Sequence, residues 1–362
     1  MVSLRRMGHP ELASLPPQAR ILCLRLSALG DIVFALPALH ALRQALPEAE
    51  IHWLTEDRHA SLLAGHPHID QLHQFPRKSW RMGRGLGPMW SHFRGLREGG
   101  RFDLVFDFQG NLKSALQEVF IPSKHKIGFD APIAREGSQR FLDHRVSVEA
   151  RTARYRRDLA LVEACGWKGT PPLRHRWALA QEAEQAMAGT LPDGTILLHT
   201  TTTDYGRDKA WAQASWRRLA CLLLEQGHTL RLLWTAAEEP EVHGHVEAVH
   251  EFMGADADIA LAPATTSLTH LMALLDQAKG FVGTDSGPLH LGAYRGTPVV
   301  GLFGATDPLI YTPPGEQVRV VYGGEDGEEP PPRDRSRRAP WMDRIAPERV
   351  VTALEELLRA QS

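Results

Sequence analysis

The sequence predicts an α/β protein with two successive halves, each built on a parallel sheet with helices on both faces. Its 362 residues exceed the usual size of a single core, which favours two domains. Short apolar runs of strand length alternate with stretches that carry apolar residues at helical spacing, as in parallel α/β sheets. A proline- and glycine-rich stretch at 166–176 interrupts this alternation, which then starts again. We therefore expect one domain over 19–170 and another over 171–340.

The composition narrows the class of protein. With 43% apolar and 23% charged residues, the chain has the composition of a globular protein. A formal net charge of −2 gives no overall sign of nucleic-acid binding. The three cysteines have no spacing suited to zinc or to a disulfide framework, so we expect a reducing, cytoplasmic setting. Because no apolar run reaches the roughly 18 residues of a membrane span, we expect only peripheral contact with a membrane.

The elements of the first half follow a segment, 1–18, that we expect to be a flexible extension. The predicted strands cover 21–26, 51–55, 71–75 and 104–108. One helix is predicted to follow the first strand and to end at residue 46, and a second lies around 58–64. A third begins at residue 112, and a fourth covers 151–165.

The second half repeats this order of strands and helices. Its predicted strands cover 196–199, 230–234, 259–262, 281–284 and 299–303. Its helices are predicted around 216–223, over 239–250 and 268–275, and from residue 289. The charged, proline-broken stretch 323–339 is expected to be a surface loop or partly disordered. An amphipathic helix within 341–362 closes the chain, and its apolar face needs a packing partner.

Asp31 lies where the first predicted strand ends and the first predicted helix begins. In open α/β sheets, ligands bind just outside the carboxyl ends of the strands, so this carboxylate is a candidate for chemistry. The alternative is that Asp31 only caps the helix, which aspartate often does.

A second candidate is the basic, glycine-punctuated segment 77–84, which we expect to be a mobile cationic loop. Its arginines suit phosphate and carboxylate groups and indicate a grip on an anionic substrate. The alternative is a solvated run of charge. The basic residues are Arg77, Lys78, Arg81 and Arg84.

Two loops of the second half predict a phosphate site. In 198–211 a strand ends in a run of threonines that is followed by Lys209, and hydroxyls, backbone N–H groups and a lysine together suit a diphosphate. In 283–293 a turn after a strand supplies Asp285, Ser286, Gly287 and, one helical turn later, His290. Such a turn lets backbone amides approach a phosphate while side chains hold a sugar. A capped loop and a tight strand-to-helix turn are the structural alternatives.

The absence of two sequence motifs argues against two classes of enzyme. The fingerprint G-x-G-x-x-G is missing after the first strand, and G-x-S-x-G is absent, which argues against a nicotinamide-dependent dehydrogenase and an α/β-hydrolase. There are eighteen histidines, but the closest pairs, at 66 and 68 and at 243 and 245, lack a carboxylate at ligand spacing. We expect surface histidines and no metal site.

Four segments together resemble glycosyltransferase family 9, the ADP-heptose:lipopolysaccharide heptosyltransferases. They are Leu-Ser-Ala-Leu-Gly-Asp at 26–31, Phe-Asp-Leu-Val-Phe-Asp-Phe-Gln-Gly-Asn-Leu-Lys-Ser at 102–114, Asp-Lys-Ala-Trp at 208–211 and Gly-Thr-Asp-Ser-Gly-Pro-Leu-His-Leu at 283–291. Within the family, the likeness is greatest to members that act on the Kdo sugar of lipid A. The resemblance implies a GT-B fold, in which two Rossmann-like domains face each other across a cleft, and a final helix that packs back on the N-terminal domain.

The resemblance also implies roles for individual residues. Asp31 is similar to the general base of an inverting, metal-free transfer that needs no cofactor beyond the nucleotide-sugar donor. The residues similar to those that bind the donor are Thr201, Thr202, Lys209, Glu238, Asp285, Ser286, Gly287 and His290. The residues similar to those that bind the acceptor are Ser27, Arg77, Lys78, Arg81 and Arg84. About three extra residues between His199 and Lys209 leave open which threonines contact phosphate.

The implied function is the transfer of heptose from ADP-heptose to a Kdo–lipid A acceptor by an enzyme on the cytoplasmic face of the inner membrane. Two alternatives remain open at this point. One is a member of the same family that uses another nucleotide sugar or another glycan, because a fold specifies a donor only loosely. The other is a nucleotide-sugar-binding protein without turnover.

Overall fold

The computed structural model describes residues 8–77, 86–98 and 100–361. The chain divides into two compact units, Met1–Pro172 and Leu173–Ser362. The division lies within the proline- and glycine-rich stretch 166–176 and two residues beyond the domain boundary that we expected at residue 170. Each unit contains one six-stranded sheet in which the neighbouring strands run parallel.

The first unit alternates strands and helices around its sheet. Its strands are β1 (Arg20–Leu24), β2 (Glu50–Glu56), β3 (Gln71–Phe75), β4 (Phe102–Asp107), β5 (Ser123–Phe129) and β6 (His144–Val146). Its helices are α1 (Leu29–Ala45), α2 (Ala60–Leu63), α3 (Leu86–Glu98), α4 (Leu112–Phe120) and α5 (Arg154–Ala164). Short 3₁₀ turns lie at Leu12–Ser14, Asp57–His59 and Ser138–Phe141.

The central strands of this sheet are apolar because helices cover both faces. β1 lies between β2 and β4, with Cys23 in register with Trp53 on one side and with Phe106 on the other. All three side chains are fully buried. Strands that are buried on both faces form continuous apolar runs, which is the pattern that made β1, β2 and β4 predictable.

The second unit has the same alternation. Its strands are β7 (Ile196–His199), β8 (Leu230–Leu232), β9 (Ile259–Leu261), β10 (Gly280–Thr284), β11 (Val299–Phe303) and β12 (Val318–Tyr322). Its helices are α6 (Gln181–Met187), α7 (Gln213–Glu225), α8 (Glu239–Met253), α9 (Leu268–Gln277), α10 (Gly287–Arg295), α11 (Pro308–Tyr311) and α12 (Pro347–Arg359). Short 3₁₀ segments lie at Asp204–Lys209 and Pro340–Arg344.

The two sheets have the same strand order. The first runs β3-β2-β1-β4-β5-β6 and the second, read from its other edge, runs β9-β8-β7-β10-β11-β12. This is the order of doubly wound nucleotide-binding sheets, whose ligand crevice lies where the order reverses. The reversal falls between β1 and β4 in the first unit and between β7 and β10 in the second. The carboxyl ends of these strands are therefore the places to look for a site.

The closing helix packs within the second unit, which corrects our expectation that it packs on the N-terminal domain. Its apolar face joins the core formed by α7 and the strands of the second sheet. Val350 and Leu354 are fully buried there, together with Trp216 and Leu219 of α7. The helix thus covers apolar side chains of the second sheet and of α7, which belong to its own unit.

One further expectation needs correction. The segment 1–18 is not loose throughout, because the buried residue Leu12 donates its backbone N–H to the carbonyl of Cys165 at 2.9 Å. The stretch 323–339 is a mostly exposed loop, as we expected, and both of its ends are fixed. At its start, Gly323 lies so close to the carbonyl oxygen of Trp341 that a Cβ atom would not fit. At its end, the Ala339 N–H donates to the carbonyl of Asp208 at 2.9 Å.

No helix among residues 8–77, 86–98 and 100–361 has both the length and the apolar character that are needed to span a bilayer.

Candidate active site

Asp31 lies in the first turn of α1, just after the turn that follows β1. Its Oδ1 accepts bonds from Nε and Nη2 of Arg154 at 3.1 and 2.6 Å and lies 3.0 Å from Nη2 of Arg25. Its Oδ2 lies 3.4 Å from the backbone N of Ala28. One carboxylate oxygen thus faces the backbone at the start of the helix, and the other forms ion pairs with two arginines. Arg154 reaches it because α5 packs against α1.

The carboxylate of Asp31 is accessible to solvent, whereas its partner Arg25 is buried. Its side chain is 29% exposed, whereas that of Arg25 is 1% exposed. Burial raises the pKa of Asp31, but the positive charges of Arg25 and Arg154 outweigh it and hold the pKa well below its ordinary value. Asp31 is therefore ionised at neutral pH. Arg25 is itself fixed through a hydrogen bond to the carbonyl of Phe108, at the end of β4.

Asp158 is a second carboxyl group near these arginines. It lies one helical turn after Arg154 on α5 and is 2% exposed. Burial raises its pKa to about 7, even though Arg25 and Arg154 act to lower it, and the charge of Asp31 adds to the rise. Asp158 was not found from the sequence, and its only signal there is a spacing of four residues from an arginine on a predicted helix.

The turn that carries Ser27 is held by residues that follow β4. Oε1 of Gln109 accepts the backbone N–H groups of Leu26 and Ser27 at 3.1 and 3.2 Å. Asp107 in turn accepts the N–H groups of Gln109 and Gly110 at 2.8 and 3.0 Å. The carboxyl ends of β1 and β4 are thereby joined at the point where the strand order reverses.

Beside Ser27, three cations surround one buried carboxylate. Glu56 lies at the end of β2 and pairs with Arg58 at 2.7 Å, with Arg77 at 3.1 Å and with Lys113. Lys113 also donates to Oγ of Ser27 at 3.3 Å. Burial raises the pKa of Glu56, and its three cationic partners lower it further than burial raises it. One negative charge for three positive ones leaves this place strongly cationic.

Only part of the predicted acceptor loop can be placed. Arg77 belongs to the cationic group around Glu56, but Lys78, Arg81 and Arg84 lie outside the described residues. Arg58 and Lys113 were missed as site residues. Lys113 lies within the motif at 102–114, but its position in the sequence does not indicate that its side chain contacts Ser27.

In the second unit, Asp285 follows β10 and joins two of the predicted donor residues. Nζ of Lys209 donates to its carboxylate at 2.7 Å and to its backbone carbonyl at 2.8 Å. Nε2 of His290, one turn into α10, lies 2.9 Å from the other carboxylate oxygen. Burial raises the pKa of Asp285, but Lys209 and His290 together hold it well below its ordinary value. An ionised aspartate thus orients a lysine and a histidine at the switch point of the second sheet.

The remaining donor candidates lie in the segments that follow β7, β8 and β10. Thr201 is buried and donates to Glu238 at 2.9 Å, and Glu238 also accepts from the hydroxyl of Thr235 at 2.6 Å. Thr202 is half-buried. Ser286 precedes α10, and its hydroxyl lies 3.3 Å from Nδ1 of His199. Gly287 is the first residue of α10, so its N–H belongs to a helix N-terminus, where phosphates bind well.

Arg333 is a residue of the second unit that the sequence did not reveal. Its Nε and Nη2 bind the two oxygens of the buried Asp208 at 2.5 and 2.9 Å. Asp208 precedes Lys209, and the charge of Asp285 is near enough to help raise the pKa of Arg333. A guanidinium from the stretch 323–339 is therefore fixed beside the lysine. The composition of that stretch predicted a solvated loop, which hid this contact.

Of the four paired histidines, His243 is exposed as we expected, and the others are less exposed. His66 and His245 are buried, which corrects their assignment to the surface. His68 is half-buried, and its Nε2 lies 2.9 Å from Nδ1 of His40. Burial lowers the pKa of His245, so this side chain is neutral at physiological pH.

Two parallel six-stranded α/β units with the same strand order form a GT-B fold, as in the solved heptosyltransferase structures that are similar to this chain. Residues 89–341 match glycosyltransferase family 9 (heptosyltransferase). The chain belongs to this family and is a glycosyltransferase.

Known members are similar to this chain over most of their length. It is 29% identical to lipopolysaccharide heptosyltransferase 1 of Pseudomonas aeruginosa, over 94% of this chain and 98% of that one. It is 27% identical to lipopolysaccharide heptosyltransferase 1 of Escherichia coli K12, over 80% of this chain and 89% of that one. Among solved structures, E. coli heptosyltransferase WaaC with ADP has a TM-score of 0.73 at 25% identity, and the match covers 93% of this chain and 99% of that one.

Proposed function

We propose that this protein transfers heptose from ADP-L-glycero-D-manno-heptose to a Kdo–lipid A acceptor, with inversion at the sugar and without a metal ion. The observation that carries the proposal is the pair of charged clusters at the two switch points. One presents an ionised, partly exposed carboxylate, and the other presents a lysine and a histidine that are oriented by a buried aspartate. A base for an acceptor hydroxyl and a cation for a departing diphosphate are what such a transfer needs.

Asp31 is the proposed general base. The acceptor hydroxyl gives its proton to the carboxylate as its oxygen forms a bond to the anomeric carbon, and the bond from that carbon to the ADP oxygen breaks. Because Arg25 and Arg154 lower the pKa of Asp31, the free carboxylate is a weak base. An acceptor that carries its own carboxylate competes for Arg154 and restores basicity to Asp31 when it binds.

The second unit is proposed to hold ADP-heptose. Lys209 supplies a positive charge to the diphosphate, where negative charge grows as ADP leaves. Ser286, Gly287 and His290 meet the phosphates and the sugar at the start of α10. Glu238, Thr201 and Thr202 are proposed to lie at the nucleoside and the neighbouring phosphate. The support for ADP comes from a relative, E. coli heptosyltransferase WaaC, whose structure was solved with ADP.

The first unit is proposed to hold the acceptor. Ser27 lies beside Asp31, and the cations around Glu56 suit an acceptor that carries carboxylates and phosphates. Lys78, Arg81 and Arg84 are proposed to extend this cationic region along the chain. The acceptor is a lipid, so we place the enzyme on the cytoplasmic face of the inner membrane. Its relatives are named as lipopolysaccharide heptosyltransferases, which supports this assignment.

A donor screen tests the proposal. The purified chain is incubated with Kdo–lipid A and, in turn, ADP-heptose, UDP-sugars and GDP-sugars, and the acceptor is weighed by mass spectrometry. We expect one added heptose from ADP-heptose, no loss of rate with a chelator, and inverted anomeric configuration by NMR. Transfer only from another nucleotide sugar would assign a different donor within the family. Binding of ADP without any transfer would indicate a binding protein.

The base assignment has its own test. Replacing Asp31 with Asn keeps the shape of the side chain but removes its basicity, so we expect kcat to fall by about 10²–10⁴-fold. The affinity for ADP, measured by calorimetry, should stay the same because Asp31 belongs to the acceptor side. Near-normal turnover of Asp31→Asn would show that another group takes the proton.

A further inference from the structure

Helix α4 of the first unit presents an apolar row to solvent. Leu112, Leu116, Val119 and Phe120 are all exposed, and their spacing puts them within about 100° of one another on the helix. The opposite face of α4 is buried, with Ser114, Ala115, Gln117 and Glu118 turned inward. A helix on a protein surface normally has the reverse pattern, with its apolar side toward the core.

Neighbouring elements extend this row. Phe93 of α3 packs on Phe120 with ring centroids 4.3 Å apart, and His92 lies 3.2 Å from Gln117. Trp90, one turn before Phe93, is 70% exposed. On the other side of α4, the 3₁₀ turn Ser138–Phe141 packs against the helix and exposes Phe141.

We call these side chains the α3–α4 surface. They are six of the nine exposed large apolar side chains in the part of the chain that the structure describes. The six are Trp90, Leu112, Leu116, Val119, Phe120 and Phe141. The other three, Tyr205, Phe252 and Leu309, belong to the second unit. A concentration of this kind marks an interaction site.

The charges around the α3–α4 surface indicate what it meets. Arg94 and Arg97 follow Trp90 at helical spacing, and Arg140 precedes Phe141; all three are exposed. Glu98 pairs with Arg94 at 2.6 Å, and Glu118 is buried. Burial, with help from the neighbouring Asp107, raises the pKa of Glu118 to about 10, so that α4 carries no ionised acid at neutral pH. Glu136, which is also exposed, accepts the backbone N–H of Leu112 at 2.9 Å. With three arginines against Glu98 and Glu136, the rim of the apolar side chains is net positive.

We infer that the α3–α4 surface docks on an anionic lipid surface. Trp90 and the apolar side chains of α4 enter the boundary between headgroups and acyl chains, while the arginines meet lipid phosphates. A second copy of the chain fits less well, because both partners of a two-fold interface would bring the same net positive rim to it. The α3–α4 surface also adjoins the acceptor side, because Lys113 in the first turn of α4 contacts Ser27.

This inference rests on the proposed function in one respect, namely that the acceptor is itself embedded in a membrane. Docking through α4 would bring the lipid surface next to Ser27 and Asp31, so the acceptor's sugar would need to travel only a short distance from the headgroups. The surface that binds lipid and the base that activates the acceptor would then belong to the same unit.

Vesicle flotation of the full chain tests docking without requiring turnover. We expect the protein to float with vesicles of phosphatidylethanolamine and phosphatidylglycerol, and to bind vesicles of phosphatidylcholine much less. The double variant Leu116→Gln with Val119→Gln, and separately Trp90→Gln, should each lower the bound-to-free ratio by about tenfold. The matched control is Phe252→Gln, whose side chain is also 70% exposed but lies in the second unit, and it should bind as the wild type does.

The charge component has a separate pair of variants. Arg94→Gln with Arg97→Gln should weaken binding to the anionic vesicles and reduce its sensitivity to salt. The control, Arg217→Gln with Arg335→Gln, removes two exposed arginines from the second unit and should have no effect. Thermal unfolding of every variant verifies that it is folded.

Several outcomes would overturn the inference. They are a wild type that does not bind anionic vesicles, α4 variants that bind as well as the wild type, and a dimer in solution that the α4 substitutions dissociate. Activity assays separate this failure from that of the proposed function. The α4 variants should lose transfer to vesicle-embedded acceptor but keep transfer to a deacylated, water-soluble one. If neither acceptor is used by any form of the protein, the proposed function fails, and vesicle binding still decides the docking surface.

Discussion

The protonation of Asp158 links pH to the stability of the first unit. Burial leaves this carboxyl with a pKa of about 7, against about 4 for an aspartate in an unfolded chain. Between these two values the folded protein keeps a proton that the unfolded chain has released. The free energy of unfolding therefore decreases as the pH rises from about 4 to about 7, and the contribution of this group is constant above that range.

Replacing Asp158 with Asn removes this dependence, because the amide has no proton to lose. We expect the variant to gain stability relative to the wild type by about 2 kcal/mol or more between about pH 5 and pH 8. Urea unfolding at the two pH values measures the difference. Glu163→Gln changes a partly exposed acid on the same helix and is the control. A difference between Asp158→Asn and the wild type that is independent of pH would contradict the assignment.

Lys209 is the cation that we expect to meet the diphosphate. Replacing it with alanine removes charge-assisted hydrogen bonds, each worth about 1.5–3 kcal/mol, so the affinity for ADP should fall by about 10- to 100-fold. Isothermal calorimetry of the folded variant gives the value. Lys279→Ala removes an exposed lysine of the same unit and should leave ADP binding unchanged. Equal affinities of Lys209→Ala and the wild type would place the diphosphate elsewhere.

At the scale of elements, burial explains which strands the sequence predicted. β1, β4, β7, β10 and β11 are almost entirely buried, so their apolar runs stand out in the sequence. β5 and β6 lie toward one edge of the first sheet and include the polar residues Lys124, His125 and Arg145, which hid them. β12, an edge strand of the second sheet, was also missed, although Arg319 is its one polar residue. Helix α3 was missed because glycines and arginines made its region resemble a loop.

The sequence predicted those site residues that lie in the segment just after a strand. Asp31, Lys209, Asp285 and His290 each follow a strand, and this position marked them as candidates; their roles stay predictions. Arg154 lies 123 positions from Asp31, and Arg333 lies 125 positions from Asp208. No local pattern records such a pairing, because it arises only when the helices and loops pack. The folded structure was needed to find the partners that tune each predicted residue.

Helix α12 contributes to the core of the second unit, so truncation there should be costly. Leu354 is fully buried against the second sheet, near Gly280 of β10. We expect Leu354→Ala to lower the free energy of unfolding by about 2–5 kcal/mol, through lost burial and the cavity left behind. Thr352→Ala, at an exposed position of the same helix, is the control. Denaturant unfolding that shows no loss for Leu354→Ala would mean that α12 does not stay docked in solution.

At the scale of the whole molecule, the two units carry different parts of the proposed reaction. Every donor candidate lies after Pro172, and every acceptor candidate that the structure describes lies before it. ADP should therefore slow hydrogen exchange in the loops that contain Thr201, Lys209 and Asp285. At about 100 times its Kd, ADP stabilises whatever it binds by about 2.7 kcal/mol, which is ample for detection. Protection centred on Asp31 instead would assign the nucleotide to the first unit.

The division of the chain into two contiguous units has a consequence for how such an enzyme can change over evolutionary time. The choice of sugar nucleotide and the choice of glycan would be written in separate, contiguous stretches of the gene that join at one short connection. Recombination at that connection could then exchange one preference for a relative's without rewriting the other. A chimaera made at Pro172 would be the laboratory version of that event, and it would inherit its donor from one parent and its acceptor from the other.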